Sequence, residues 1–84
     1  MRQIDSKYQT TGEITKLDGT PIPQDEPLIL FRGKDKLLPQ LLSHYKQLCQ
    51  NAGSPQQHLE DIDSLVKNIN SWQEQNQDKV KIPD

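Results

Sequence analysis

Two runs of apolar residues with helical spacing stand almost back to back in this chain, and the few residues between them decide what it can fold into. Leu38, Leu41, Leu42, Tyr45, Leu48 and Cys49 recur every three or four positions, which places them on one face of an α-helix. Leu59, Ile62, Leu65, Val66, Ile69 and Trp72 repeat the pattern. Between the runs lie Asn51-Ala52-Gly53-Ser54-Pro55. Gly53 suits the left-handed conformation that ends a helix. Ser54 is the expected N-cap of the next one, with Pro55 at its first helical position and Gln57 closing a capping box. A connection this short predicts two neighbouring antiparallel helices with their stripes facing.

The helices are expected at about 36–51 and 55–74. Asp35 is the expected N-cap of the first, and Pro39 is tolerated because donors in a first helical turn have no partners within the helix. Glu60, Asp61 and Asp63 load the early turns of the second helix with negative charge, where the helix dipole favours it. The run Trp72-Gln73-Glu74-Gln75-Asn76-Gln77 lacks apolar anchors and reads as a frayed end.

Upstream of Lys34 the pattern is turn-rich. Glu13-Ile14-Thr15-Lys16-Leu17 alternates, and Asp18-Gly19 is a good reversal. Pro21 and Pro23 cannot donate to a ladder, so a turn into an extended segment is expected rather than a full hairpin. Leu28-Ile29-Leu30-Phe31 is too short for a helix and reads as an apolar strap packed on the helices. Val80-Lys81-Ile82 alternates near the other end; it either pairs with the strap or packs separately. The expected fold is therefore mainly α: an antiparallel two-helix hairpin with an N-terminal extended strap and a candidate β pairing by the C-terminal tail. Residues 1–12 are expected to form a mobile tail, and residues 13–84 a single small domain.

A chain of 84 residues is one domain, and at this size only about 60% of the unfolded chain's surface is buried. Leu, Ile, Val and Phe supply 20 of those residues, enough for a thin core that a second copy or another partner would complete. The net charge of −2 argues against general nucleic-acid binding, which calls for a concentrated basic surface. No apolar run approaches the ~18 residues of a membrane span. The start, Met1-Arg2-Gln3-Ile4-Asp5, lacks the apolar stretch of a secretion signal. Cys49 has no second cysteine to pair with. A soluble cytoplasmic protein is expected.

No constellation in the sequence argues for catalysis, a metal or a cofactor. His44 and Cys49 lie roughly 140° apart around one helix and share no face. His58 sits on the other helix, and Cys49 lies on the apolar stripe, where an inert buried thiol is the ordinary finding. There is no Cys-x-x-Cys, no His-x-x-x-His, no calcium-loop spacing and no glycine-rich phosphate loop. Arg32-Gly33-Lys34-Asp35-Lys36 is a small basic cluster that either holds an anion or forms an ordinary solvated surface. Trp72 ends its stripe beyond most opposing apolar partners, a position where an indole often serves an interface. The candidate interaction residues are Leu28, Leu30, Phe31, Arg32, Lys34 and Trp72. The leading expectation is a non-catalytic protein-interaction module or adaptor, binding a protein partner or a second copy of itself. The alternative is a small nucleic-acid-associated regulator using Arg32, Lys34 and Lys36.

From Gly19 onward the chain resembles a type of small bacterial protein of unknown function, sometimes encoded beside phage-related genes. The resemblance is carried by Gly19-Thr20-Pro21-Ile22-Pro23, Asp25-Glu26-Pro27, Phe31-Arg32, Lys34-Asp35, Tyr45, Gly53, Trp72-Gln73 and Lys81-Ile82-Pro83-Asp84. The 11 glutamines depart from the Ala- and Arg-rich character of that type. The resemblance implies a bacterial or phage-associated origin and transfers no site residues.

Overall fold

The structure, a computed structural model, describes residues 1–83. It is mainly helical with a little strand, and the chain separates into two compact units, Met1–Leu30 and the residues from Phe31 onward.

The helical unit is the expected hairpin. Helix α1 spans Leu38–Asn51 and helix α2 spans Gln56–Gln75. The reversal between them is a Schellman turn. The N–H of Gly53 donates to the Gln50 carbonyl at 3.1 Å, and the N–H of Ser54 donates to the Cys49 carbonyl at 2.9 Å. Gly53 takes φ +83, as this turn requires. The capping box is not formed. Ser54 has given its N–H to the turn, and the extended Pro55 (φ −57, ψ 147) is the boundary residue, with no side-chain cap on the helix.

Helix α1 starts two residues later than the pattern suggests, because Asp35 folds a turn ahead of it. The Asp35 N–H donates to the Arg32 carbonyl at 3.0 Å, and its carboxylate accepts the Leu37 N–H at 2.8 Å. Leu38, Cys49, Leu59 and Ile62 are buried, and Leu42 and Val66 pack against the Cys49–Leu59–Ile62 cluster. Two further contacts fix the antiparallel register: Lys46 Nζ pairs with Asp63 Oδ2 at 2.9 Å, and the Tyr45 and His58 rings meet edge to face at 6.2 Å.

The polar run after Trp72 is not frayed. Helix α2 runs to Gln75 and is capped by Asn76, whose side-chain amide donates to the Trp72 carbonyl at 2.8 Å. A 3₁₀ turn over Gln77–Lys79 then brings the chain back. The Lys81 N–H donates to the Lys34 carbonyl at 3.0 Å, and the Lys36 N–H donates to the Lys81 carbonyl at 2.9 Å. The tail therefore pairs in parallel with the segment that leads into α1, at Asp35 and Lys81, and not with the apolar strap. None of the strap residues is fully buried: Leu28 is half buried, Ile29 is 74% exposed, and Leu30 and Phe31 are about half exposed.

The first unit holds two small reversals. Strands β1 (Arg2–Gln3) and β2 (Gln9–Thr10) pair antiparallel within the segment expected as a tail. The Asp5 carboxylate makes the turn by accepting the N–H groups of Lys7 at 2.8 Å and Tyr8 at 2.9 Å. The Arg2 guanidinium donates to the carbonyls of Pro23 and Glu26. In the second reversal, Gly19 takes φ +91 and its N–H donates to the Lys16 carbonyl at 2.9 Å. Pro21 pairs with Thr15 without harm, because the bonds of that pair run from Lys16 N–H to Thr20 and from Ile22 N–H to Ile14, leaving no donor required of Pro21.

Two predictions follow from these turns. A Cβ would meet nothing within 4 Å at either Gly12 or Gly53, but only Gly53 has positive φ. Gly53→Ala should destabilise the hairpin by roughly 1–2 kcal/mol, and Gly12→Ala should not; denaturant midpoints of the two variants check this. In the second turn, the N–H of Thr20 bonds the Asp18 carboxylate at 2.9 Å, and that bond with the Thr20 side chain lowers its pKa. A folded pKa below the unfolded one stabilises the turn above the unfolded value, an effect lost as pH falls through the folded pKa. The Thr20 amide resonance should therefore titrate with a midpoint below the ~3.9 of an unstructured aspartate; a midpoint at or above it would contradict the turn.

Candidate functional site

The apolar seam of α2 runs through Leu59, Ile62, Val66 and Ile69, and its next position is Gln73. An amide there is half buried at the end of the hairpin opposite Gly53. Gln73 Nε2 donates to the Gly33 carbonyl at 2.9 Å and to the Asp35 carbonyl at 2.8 Å. One side chain thus holds the turn that opens α1, and the tail bridge at Lys81 holds the same turn from its other edge. Beside this turn lies an open cleft of about 700 Å³ lined by Arg32, Gly33, Lys34, Asn68, Ile69, Trp72, Asp78, Lys79 and Lys81.

Each wall has a simple local origin. Asn68, Ile69 and Trp72 are successive positions on one side of α2. Trp72 lies against Gly33: a Cβ built on that glycine would stand 3.9 Å from Trp72 Cε3, an ordinary contact. The indole is 39% exposed. Arg32 and Lys34 flank Gly33, and Lys79 and Lys81 flank Val80 on the returning tail. Four cations and one carboxylate, Asp78, therefore line the cleft. Among the described residues none of the four cations forms an ion pair or donates a side-chain hydrogen bond; the ion pair present is Lys46–Asp63.

Of the residues singled out in the sequence, Arg32, Lys34 and Trp72 come together here. Lys36 does not line the cleft and contributes its N–H to the tail bridge. Leu28 and Leu30 belong to the first unit, and Phe31 is half exposed at the start of the second. The sequence reading missed Gln73, Asn68, Lys79 and Lys81. Gln73 was marked only by its place as the next step of the α2 seam, and the tail lysines only by their alternation about Val80.

The second surface is the flank of the hairpin. Leu41, Tyr45 and Leu48 on α1 and Leu65 on α2 are between 43% and 54% exposed. The spacing that sets Leu41, Tyr45 and Leu48 in one row also sets His58 and Leu65 in one row, and the Tyr45–His58 contact puts the two rows on the same side. A hydrogen bond with Cys49 raises the Tyr45 phenol above its ordinary pKa, with the nearby thiol charge and slight burial acting in the same sense. Cys49 itself is buried. Among the described residues no three His, Cys, Asp or Glu side chains gather in metal-ligating reach, and no helix is long and apolar enough to cross a membrane.

Replacing Gln73 by Ala strips the Gly33 and Asp35 carbonyls of their shared donor. At roughly 0.5–1.5 kcal/mol for each bond, the loss should be about 1–3 kcal/mol. It should appear first as faster amide exchange at Lys36 and Lys81, ahead of any change at Ile62; uniform acceleration along the whole hairpin would show that Gln73 supports the core and not the turn before α1. No protein-family model matches the chain, and no curated protein or solved structure matches it.

Proposed function

We propose that the protein is a small non-catalytic interaction module whose helical hairpin associates with a second copy of itself. The observation that carries this reading is the exposed apolar flank of Leu41, Tyr45, Leu48 and Leu65. Four buried side chains are a thin core for the two helices. A second hairpin laid on the flank completes a four-helix arrangement. Rows of the same spacing on both helices suit a two-fold interface, in which one patch meets its own copy. The lone, buried Cys49 fits a reducing compartment such as the cytoplasm, and the resemblance of residues 19–84 to small bacterial and phage-associated proteins sets the expected origin.

Sedimentation equilibrium tests the reading. The parent chain should show a monomer–dimer equilibrium in the micromolar to millimolar range. Leu48→Glu and Leu65→Glu should each shift it toward monomer by at least tenfold in Kd, about 1.4 kcal/mol, while leaving the helical circular dichroism unchanged. Added salt should not dissociate the dimer, because apolar association is insensitive to screening. A parent chain that stays monomeric throughout would overturn self-association.

A further inference from the structure

We propose that the cleft between the end of α2 and the tail binds a small aromatic phosphate, one nucleotide in size, with the ring stacked on Trp72 and the phosphate held by Arg32, Lys34, Lys79 and Lys81. This goes beyond the interaction module above and uses a different surface.

Charge is the first argument. Four cations and one carboxylate give the lining +3, and the whole chain carries −2, so everything outside the cleft sums to −5. Like charges are costly to gather, yet the backbone itself gathers these: the Lys34–Lys81 hydrogen bond fixes two of them on neighbouring strands, and Gln73 fixes the loop bearing Arg32 and Lys34. The cations have no ion-pair partners among the described residues, so an incoming anion displaces no internal salt bridge. Part of the ordering cost of binding is met in advance.

The choice of ligand follows from the other walls. A volume of about 700 Å³ falls within the range of small-ligand sites, roughly 300–1,000 Å³, and takes one nucleotide with its water. Trp72 lies against Gly33 and is partly exposed in the cleft lining, so it offers an aromatic surface on which a base can stack. Asn68 offers an amide with both donor and acceptor to the edge of a heterocycle. An acidic peptide would use paired arginine forks for its carboxylates; three of the four cations here are lysines, point charges that serve phosphate oxygens equally well from any direction. A long nucleic acid would leave the +3 cleft and run over a surface that sums to −5, which favours a short ligand over a polymer.

Trp72 is the sole tryptophan of the chain, so emission excited selectively at tryptophan, beyond the absorption of Tyr8 and Tyr45, reports on this cleft. The experiment titrates the full chain with adenosine 5′-monophosphate, adenosine, inorganic phosphate and a ten-nucleotide single strand of deoxyadenylate. The expected result is saturable quenching by the monophosphate, with adenosine and inorganic phosphate each at least tenfold weaker. The affinity should fall several-fold between 50 and 200 mM salt, about as expected for one or two neutralised charges. The exposed Lys79→Glu with Lys81→Glu should weaken binding at least tenfold with helical content unchanged. Trp72→Leu should do the same when binding is read by calorimetry. The proposal is overturned by the absence of saturable quenching at millimolar monophosphate, or by inorganic phosphate binding as tightly as the nucleotide. An unchanged affinity in the double lysine variant would also overturn it. An oligonucleotide binding more than tenfold tighter than the monophosphate would assign the cleft to a polymer instead.

Discussion

The left-handed turn at Gly53 is the constraint on which the helical unit depends. With φ +83 and two carbonyls of α1 satisfied by the N–H groups of Gly53 and Ser54, the backbone leaves one helix and enters the next within a few residues. That leaves the second helix no choice but to run back along the first. Leu42 and Cys49 then face Leu59, Ile62 and Val66. The register that follows sets Lys46 against Asp63 and Tyr45 against His58. It also decides which apolar residues lie off the seam: Leu41, Leu48 and Leu65 form a flank because the seam can hold only the residues that point directly at the partner helix.

At the opposite end the chain solves a different problem, which is how to hold irregular backbone beside the buried Leu38. Buried carbonyls need donors. Gln73 serves two of them, and Asn76 serves the carbonyl of Trp72. The tail completes the arrangement by hydrogen-bonding across Lys34 and Lys36. Polar side chains here add to the burial of Leu38, whereas the Gly53 end closes on the Cys49–Leu59–Ile62 cluster. The basic cleft stands on that polar scaffold.

The hairpin was legible in the sequence because its signals are local: two stripes of period 3.6 and a glycine stop. Gly53 and the inward placing of Cys49, Leu59 and Ile62 follow directly from spacing. The capping box was misread because two motifs compete for Ser54, and the turn takes its N–H first. The strap was misread because apolarity says that a segment gains from burial but not where a partner surface is; the strand beside Lys34–Lys36 turned out to be the tail. Pro21 was judged by its missing donor, when its position in the pair asks for none. Half of the cleft was visible in Arg32, Lys34 and Trp72. Lys79 and Lys81 enter through the tail bridge, and Gln73 holds the neighbouring turn, through contacts between residues far apart in the chain that no local pattern encodes.

The tail bridge has a consequence for how the helical unit breathes. It closes a long loop around both helices with two backbone hydrogen bonds, Lys81 to Lys34 and Lys36 to Lys81, a net worth of roughly 1–3 kcal/mol. The helix seam opens only with the whole hairpin, whereas a bond pair of this size opens alone many times for every global unfolding. Each such opening frees Lys81, while Lys79 stays on its 3₁₀ turn beside α2 and Arg32, Lys34 and Trp72 stay on the turn and α2. A ligand that needs all four cations would therefore act as a latch on the tail.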